Sequence, residues 1–185
     1  MTASGSPPSL LVLGLGNVLC GDDGLGVAAT ELLGRRYLLP DGARILDGGT
    51  LGLTLLSYIQ SSDDVILVDA IGADGPAGSL VRLEGDEVGP AVRNRLSVHQ
   101  IGVADLLEGL RLLDAYPRSL VLLGLVPETL GLGLGHSAAV DRQIPLLVEK
   151  IVEEAERLGY ELLPQGADET TRCSGRDPAA RALGL

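Results

Sequence analysis

The stretch Leu10 to Gly26, LLVLGLGNVLCGDDGLG, constrains the fold of this chain more than any other. Leu10 to Leu15 is an apolar run closed by glycine, the pattern of a strand buried on both faces of a parallel sheet. A glycine-rich turn follows, and in it stand two adjacent carboxylates, Asp22 and Asp23. The first turn of a doubly wound sheet normally receives an anion, because the next helix offers unpaired N–H groups and the positive end of its dipole. Here the chain supplies the anions itself, which points to a bound cation or an activated water. Capping of the following helix by either aspartate is an equally open reading. A dinucleotide site is disfavoured by that charge and by spacing, since Gly14 and Gly16 are followed by Leu19 where a third glycine is needed.

Downstream, the same alternation repeats. A helix from about Gly24 to Tyr37 is stopped by Pro40; Ala43 to Leu46 reads as a second strand, Leu51 to Gln60 as a helix, and Val65 to Ala70 as a third strand. That order is βαβαβ and predicts an α/β fold. Gly78 to Glu84 alternates apolar with polar after a connection too short for a helical crossover, so an antiparallel edge strand is expected there. Gly102 to Asp114 reads as a helix, Leu120 to Val126 as the last buried strand, and Ala138 to Leu158 as one long helix whose start is marked by His136. Glu153, Glu154, Glu156 and Arg157 are expected on its solvated outer face. The domain is expected over 9–163, with a flexible N-terminus over 1–8 and a disordered tail over 164–185, where turn formers replace apolar periodicity.

A chain of 185 residues is long enough for one well-buried core. With Phe and Trp absent, that core must be aliphatic, and stacking on bases is disfavoured. The net charge of −11 repels nucleic acid and anionic lipid, leaving proteins or metal ions as the expected partners. Cys20 and Cys173 lie far apart and do not suggest a disulfide scaffold, so a reducing cytoplasm is the expected compartment. Neither a signal core nor an apolar run of roughly 20 residues is present, and no membrane partner is expected.

Ligands of open α/β sheets sit beyond the carboxyl ends of the strands. The residues at those ends are Asp22 and Asp23, Asp47 in DGGT and Asp69 in VDA, joined by His99 in SVHQIG and Glu128 in VPE. Crowded carboxylates raise one another's pKa, and a divalent cation relieves the repulsion. Two carboxylates and an imidazole suit a borderline metal such as zinc or nickel, with positions left open for water or substrate. Structural hydrogen bonding is an equal alternative for Asp69 and for His99, and helix capping a further one for His99. Cys20 has no base beside it in sequence and reads as a small buried filler. G-x-S-x-G, H-E-x-x-H and C-x-x-C patterns are all missing.

Five blocks, GLGNVLCGDDGLGV at 14–27, ILDGGTLG at 45–52, VDAI at 68–71, SVHQIGVADLL at 97–107 and GLVPE at 124–128, stand in the order and spacing of a known family. Together they resemble the hydrogenase maturation endopeptidases, which trim the C-terminal extension from the large subunit of nickel-iron hydrogenases. The likeness covers about positions 9 to 160. It implies a three-layer α/β/α fold with a five-stranded mixed, mostly parallel sheet whose fourth strand is antiparallel. It implies metal contacts from Asp23, Asp69 and His99, with Asp23, Asp47 and Asp22 as the catalytic acids and Asp47 or Asp22 handling the proton. The expected partner is the large-subunit precursor. Its already inserted nickel would be the recognition element, with zinc or another divalent ion able to substitute in vitro. Without a thiolate, such a ligand set retains metal weakly, which suits a protease that must meet the metal on its substrate. Two alternatives stay open: a noncatalytic nickel-binding assembly chaperone on the same fold, and a related α/β peptidase with another protein substrate.

Overall fold

The computed structural model describes residues 9–93 and 101–166. Strand β1 (Leu10–Leu15) is buried along its whole length, as its unbroken apolar sequence requires. Parallel strands β3 (Ala43–Gly49) and β4 (Asp64–Ala70) flank it. Beyond β4 lies β6 (Ser119–Leu125), also parallel, and beyond that β5 (Leu80–Glu84), antiparallel at the margin. The sheet order is β3-β1-β4-β6-β5. In chain order the fourth strand of this sheet is therefore the antiparallel one, at the edge where Gly78 to Glu84 was expected.

Alternation along the strands divides the core in two. Leu10 and Val12 pack with Ile66, Val68, Val121 and Leu123 beneath helices α1 (Leu25–Arg36) and α6 (Ile144–Arg157). Leu11, Leu13 and Leu15 pack with Val65, Leu67, Leu120 and Leu122 beneath α2 (Leu56–Gln60), α3 (Val88–Arg93) and α4 (Ile101–Leu112). The result is the expected three-layer sandwich. Tyr160 is the one aromatic side chain among the buried core residues described.

Two details depart from expectation. The long helix is broken into α5 (Ala138–Asp141) and α6, because Pro145 in the first turn of α6 has no N–H to continue a preceding helix and its ring excludes the turn before it. His136 stands just before the start of α5, as expected, and Ser137 caps that helix, its hydroxyl accepting from the Val140 N–H. Glu154 is not solvated: it is 6% exposed and is gripped by Arg82 of β5, at 2.8 and 3.1 Å, and by Arg157. Burial pushes the Glu154 carboxyl up, and hydrogen bonds from the two guanidiniums more than reverse this, leaving it below the usual range.

A two-stranded sheet of β2 (Tyr37–Leu38) and β7 (Leu163–Pro164) closes the domain. The Gln165 N–H donates to the Arg36 carbonyl at 2.7 Å, so the chain is still fastened at positions 164 and 165, where the tail was expected to begin. The expected termini over 1–8 and 167–185 lie outside the described residues, as does His99. Among the described residues, no helix is long and apolar enough to cross a membrane.

Candidate active site

Because β1, β3, β4 and β6 are parallel, their carboxyl ends share one edge. From β1 the chain enters a loop and a single 3-10 turn, Gly21–Gly24, before α1. Gly16 has φ of +114°, and a Cβ there would lie 1.7 Å from the Asp23 carbonyl oxygen, so only glycine lets the chain double back beneath Asp23. At Gly26 a Cβ would meet the Val68 carbonyl at 2.1 Å, which shows how closely the first turn of α1 lies on the end of β4. The acidic turn is thereby packed against the strand that carries Asp69.

Asp23 is 1% exposed, and its Oδ2 accepts a 2.8 Å hydrogen bond from the Asn17 N–H. Asp69 is equally enclosed, and its Oδ1 accepts from the Ala70 N–H at 2.7 Å. Strand alternation sets Asp69 on the face of Val65 and Leu67, the side covered by α2, α3 and α4. Neither Asp22 nor Asp23 caps α1, whose N-cap is Gly24 with no side-chain hydrogen bond.

Asp22 is fully buried and serves a different set of donors. Its Oδ2 accepts from the N–H groups of Glu128 (2.8 Å) and Thr129 (3.1 Å), and its Oδ1 from that of Ser137 (2.6 Å). Burial pushes this carboxyl up, but the three amides and the Ser137 hydroxyl outweigh it and hold the pKa below the usual carboxylate value. Main-chain bonds complete the join. Asp22 N–H donates to the Thr129 carbonyl at 3.1 Å, Gly133 N–H to Leu19 at 3.0 Å, and Gly21 N–H to Gly133 at 2.9 Å. These last two form a parallel bridge between Cys20 and Gly133.

Asp47 stands apart from the buried acids. It is exposed on β3, opposite Gly14 and just before a register shift. It lines a cleft of about 150 Å³ with Gly16, Asn17, Gly49 and Thr50, and a wider depression of about 360 Å³ along α1 with Thr30 and Ile45. Glu128 is also exposed, engaged through its main chain by Asp22.

The structure thus brings Asp22, Asp23, Asp47 and Asp69 to one edge, in three settings: a clamp, a buried pair and a solvent-facing acid. Two enclosed carboxylates at neighbouring strand ends are oxygen donors for which a cation is the natural counter-charge. Among the described residues no group of three His, Cys, Asp or Glu side chains is gathered for a metal ion; the imidazole expected to complete the set, His99, is outside them. Sequence reasoning missed the segment after β6, Thr129 to Gly135, as part of the site. Its only mark is a Leu-Gly alternation, which matches no buried element.

The family model for hydrogenase maturation protease, HycI, matches residues 27–154. Hydrogenase 2 maturation protease of Escherichia coli strain K12 is 38% identical over 159 residues, covering 85% of this chain and 97% of that protein. Hydrogenase expression/formation protein HupM of Azotobacter chroococcum mcd 1 is 42% identical over 128 residues, 69% of this chain and 61% of that protein. Among solved structures, the hydrogenase maturating endopeptidase HybD from E. coli superposes with a TM-score of 0.83 at 36% identity, over 86% of this chain and 99% of that one. The [NiFe] hydrogenase maturation protease HybD from Thermococcus kodakarensis gives 0.63 at 28% identity, over 81% and 98%.

Proposed function

The chain belongs to the hydrogenase maturation protease family and is a peptidase, and from that premise we propose that it removes the C-terminal extension of a nickel-iron hydrogenase large-subunit precursor after nickel insertion. The observation that carries this reading is the enclosure of Asp23 and Asp69 at the carboxyl edge of the sheet, on a turn and a strand packed against each other. Asp23, Asp69 and His99 are the residues that would meet the precursor's metal. With two carboxylates, one imidazole and no thiolate, the set fits an ion held mainly by the precursor and only completed by the protease.

Nickel in the precursor would polarise the scissile carbonyl or a water beside it. Asp23 and Asp69 fix the position of the peptide relative to that centre, and their enclosure limits competing water. Asp47 is the acid open to solvent beside the cleft, so it is assigned the proton of the attacking water and its delivery to the leaving amine nitrogen as the new C–O bond forms and the amide C–N bond breaks. Asp22, its two oxygens engaged by three main-chain N–H groups, holds the shape of the site instead.

Intact mass of a large-subunit precursor, nickel-loaded and nickel-free, tests the proposal. Loss of a short C-terminal peptide from the nickel-loaded form alone is the expected result. A loaded, cognate precursor left at full mass overturns it.

A further inference from the structure

Two leucines after β6 are among the most exposed apolar side chains described: Leu132 at 91% and Leu134 at 84%. Leu19, at 56%, adjoins them, since the parallel bridge between Cys20 and Gly133 sets Leu19 in register with Leu132. Single exposed leucines are ordinary on a protein surface. These are not ordinary in their support. The loop that carries them is pinned at Thr129 and Ser137 by Asp22 and at its middle by the two bonds of Gly133. The stretch Thr129 to Gly135 is TLGLGLG, without a charge, in a chain of net charge −11. A Cβ at Gly133 or Gly135 would meet nothing within 4 Å, so the space above the alternate positions is open to an approaching surface.

We propose that Leu19, Leu132 and Leu134 form a rigid docking platform for an apolar patch on the large-subunit precursor next to its C-terminal extension. This rests on the proposed function. The occupant follows from continuity with the acid pair. The Leu19 N–H donates to the Asn17 side chain at 3.0 Å and the Asn17 N–H donates to Asp23 Oδ2 at 2.8 Å, so the platform and the buried acid share one loop, and a polypeptide cut beside Asp23 would carry its flanking surface over the leucines. The chemistry of the platform admits an uncharged, apolar patch, because a leucine gains only from contacts that shed water. The precursor is therefore read twice, by its metal at the acids and by its surface at the loop.

The test is the initial rate of precursor cleavage against precursor concentration for wild type, Leu132→Ser/Leu134→Ser, Leu132→Met/Leu134→Met and Leu112→Ser. Leu112, 88% exposed at the end of α4, is at the opposite edge of the sheet and serves as the control. The serine pair is expected to raise KM at least tenfold, the methionine pair to restore it to within twofold, and Leu112→Ser to leave it unchanged. Cutting by wild type with KM unmoved in the serine pair overturns the platform alone. An equal rise in Leu112→Ser overturns it too, as does a dimer of the wild type that the serine pair abolishes while KM stays constant. A loaded precursor that wild type leaves uncut overturns the proposed function and the platform with it.

Discussion

Oδ1 of Asp22 accepts a 2.6 Å hydrogen bond from the main-chain N–H of Ser137, joining the first turn after β1 to the start of α5 across 115 residues of sequence. With the Glu128 and Thr129 amides on its other oxygen, this one side chain spans the segment after β6 from end to end. A charged acceptor serving several N–H donors in a buried setting is strong where complete and costly where broken.

Asp22→Ala should therefore lower stability by about 2–4 kcal/mol, the cost of leaving buried donors without an acceptor. For a chain of this size that is roughly 5–15 °C in Tm, readable by calorimetry. A Tm unchanged within a degree would mean that water replaces the carboxylate and that the clamp does not stabilise the fold.

The same clamp sets a pH dependence. The folded carboxyl of Asp22 lies below its ordinary value, so its stabilisation is complete above the unfolded carboxylate value of about 3.9 and is lost as pH falls through the lower, folded value. Glu154 acts in the same direction. Urea midpoints of wild type and Asp22→Asn, followed from neutral pH downward, should differ by a constant amount until the acid range and converge there. A gap that widens on acidification contradicts the assigned sign.

If the proposed function holds, Asp23→Asn and Asp69→Asn should each reduce precursor cleavage by on the order of 10³-fold, since the amide retains the shape but loses the charge that would meet the precursor's metal. Tm should change by only a few degrees, because an amide oxygen still accepts from Asn17 or Ala70. His99→Ala should also abolish processing. Full processing by the Asp23 and His99 variants would remove the ligand assignment.

Gly16→Ala should cost more than about 3 kcal/mol, because the added Cβ would fall 1.7 Å from a carbonyl oxygen at a backbone angle that side chains resist. The collision is with Asp23 itself. Loss of cleavage should therefore exceed the fraction unfolded, as measured by circular dichroism on the same sample. Equal losses would mean that Gly16 serves the fold alone.

Much of this architecture is legible along the chain because it is written in local periodicity. Unbroken apolar runs at Leu10–Leu15 and Leu120–Leu125 are strands buried on both faces, and the alternation of Leu80–Glu84 is a half-covered margin. The acids at strand ends were legible for the same reason, since the rule that places ligands at carboxyl ends needs only strand direction. What escaped depends on partners distant in sequence. Asp22 looks like any turn aspartate until its donors arrive more than 100 residues later. Glu154 looks solvated until Arg82 crosses from a strand 72 residues upstream. The Leu-Gly segment alternates without covering any core, because its shape is imposed by the turn beside it.

Three main-chain N–H groups, those of Glu128, Thr129 and Ser137, donate to Asp22 across that gap; the Ser137 hydroxyl is the one side-chain group that joins them. A grip on amides is blind to side chains: any residue but proline at Glu128 or Thr129 offers the same proton at the same place. The segment is thus an exchangeable cassette on a fixed socket. On the proposed docking role, its outward residues could be rewritten to suit a different client while Asp22 keeps its position, which would free recognition and chemistry to change at separate rates.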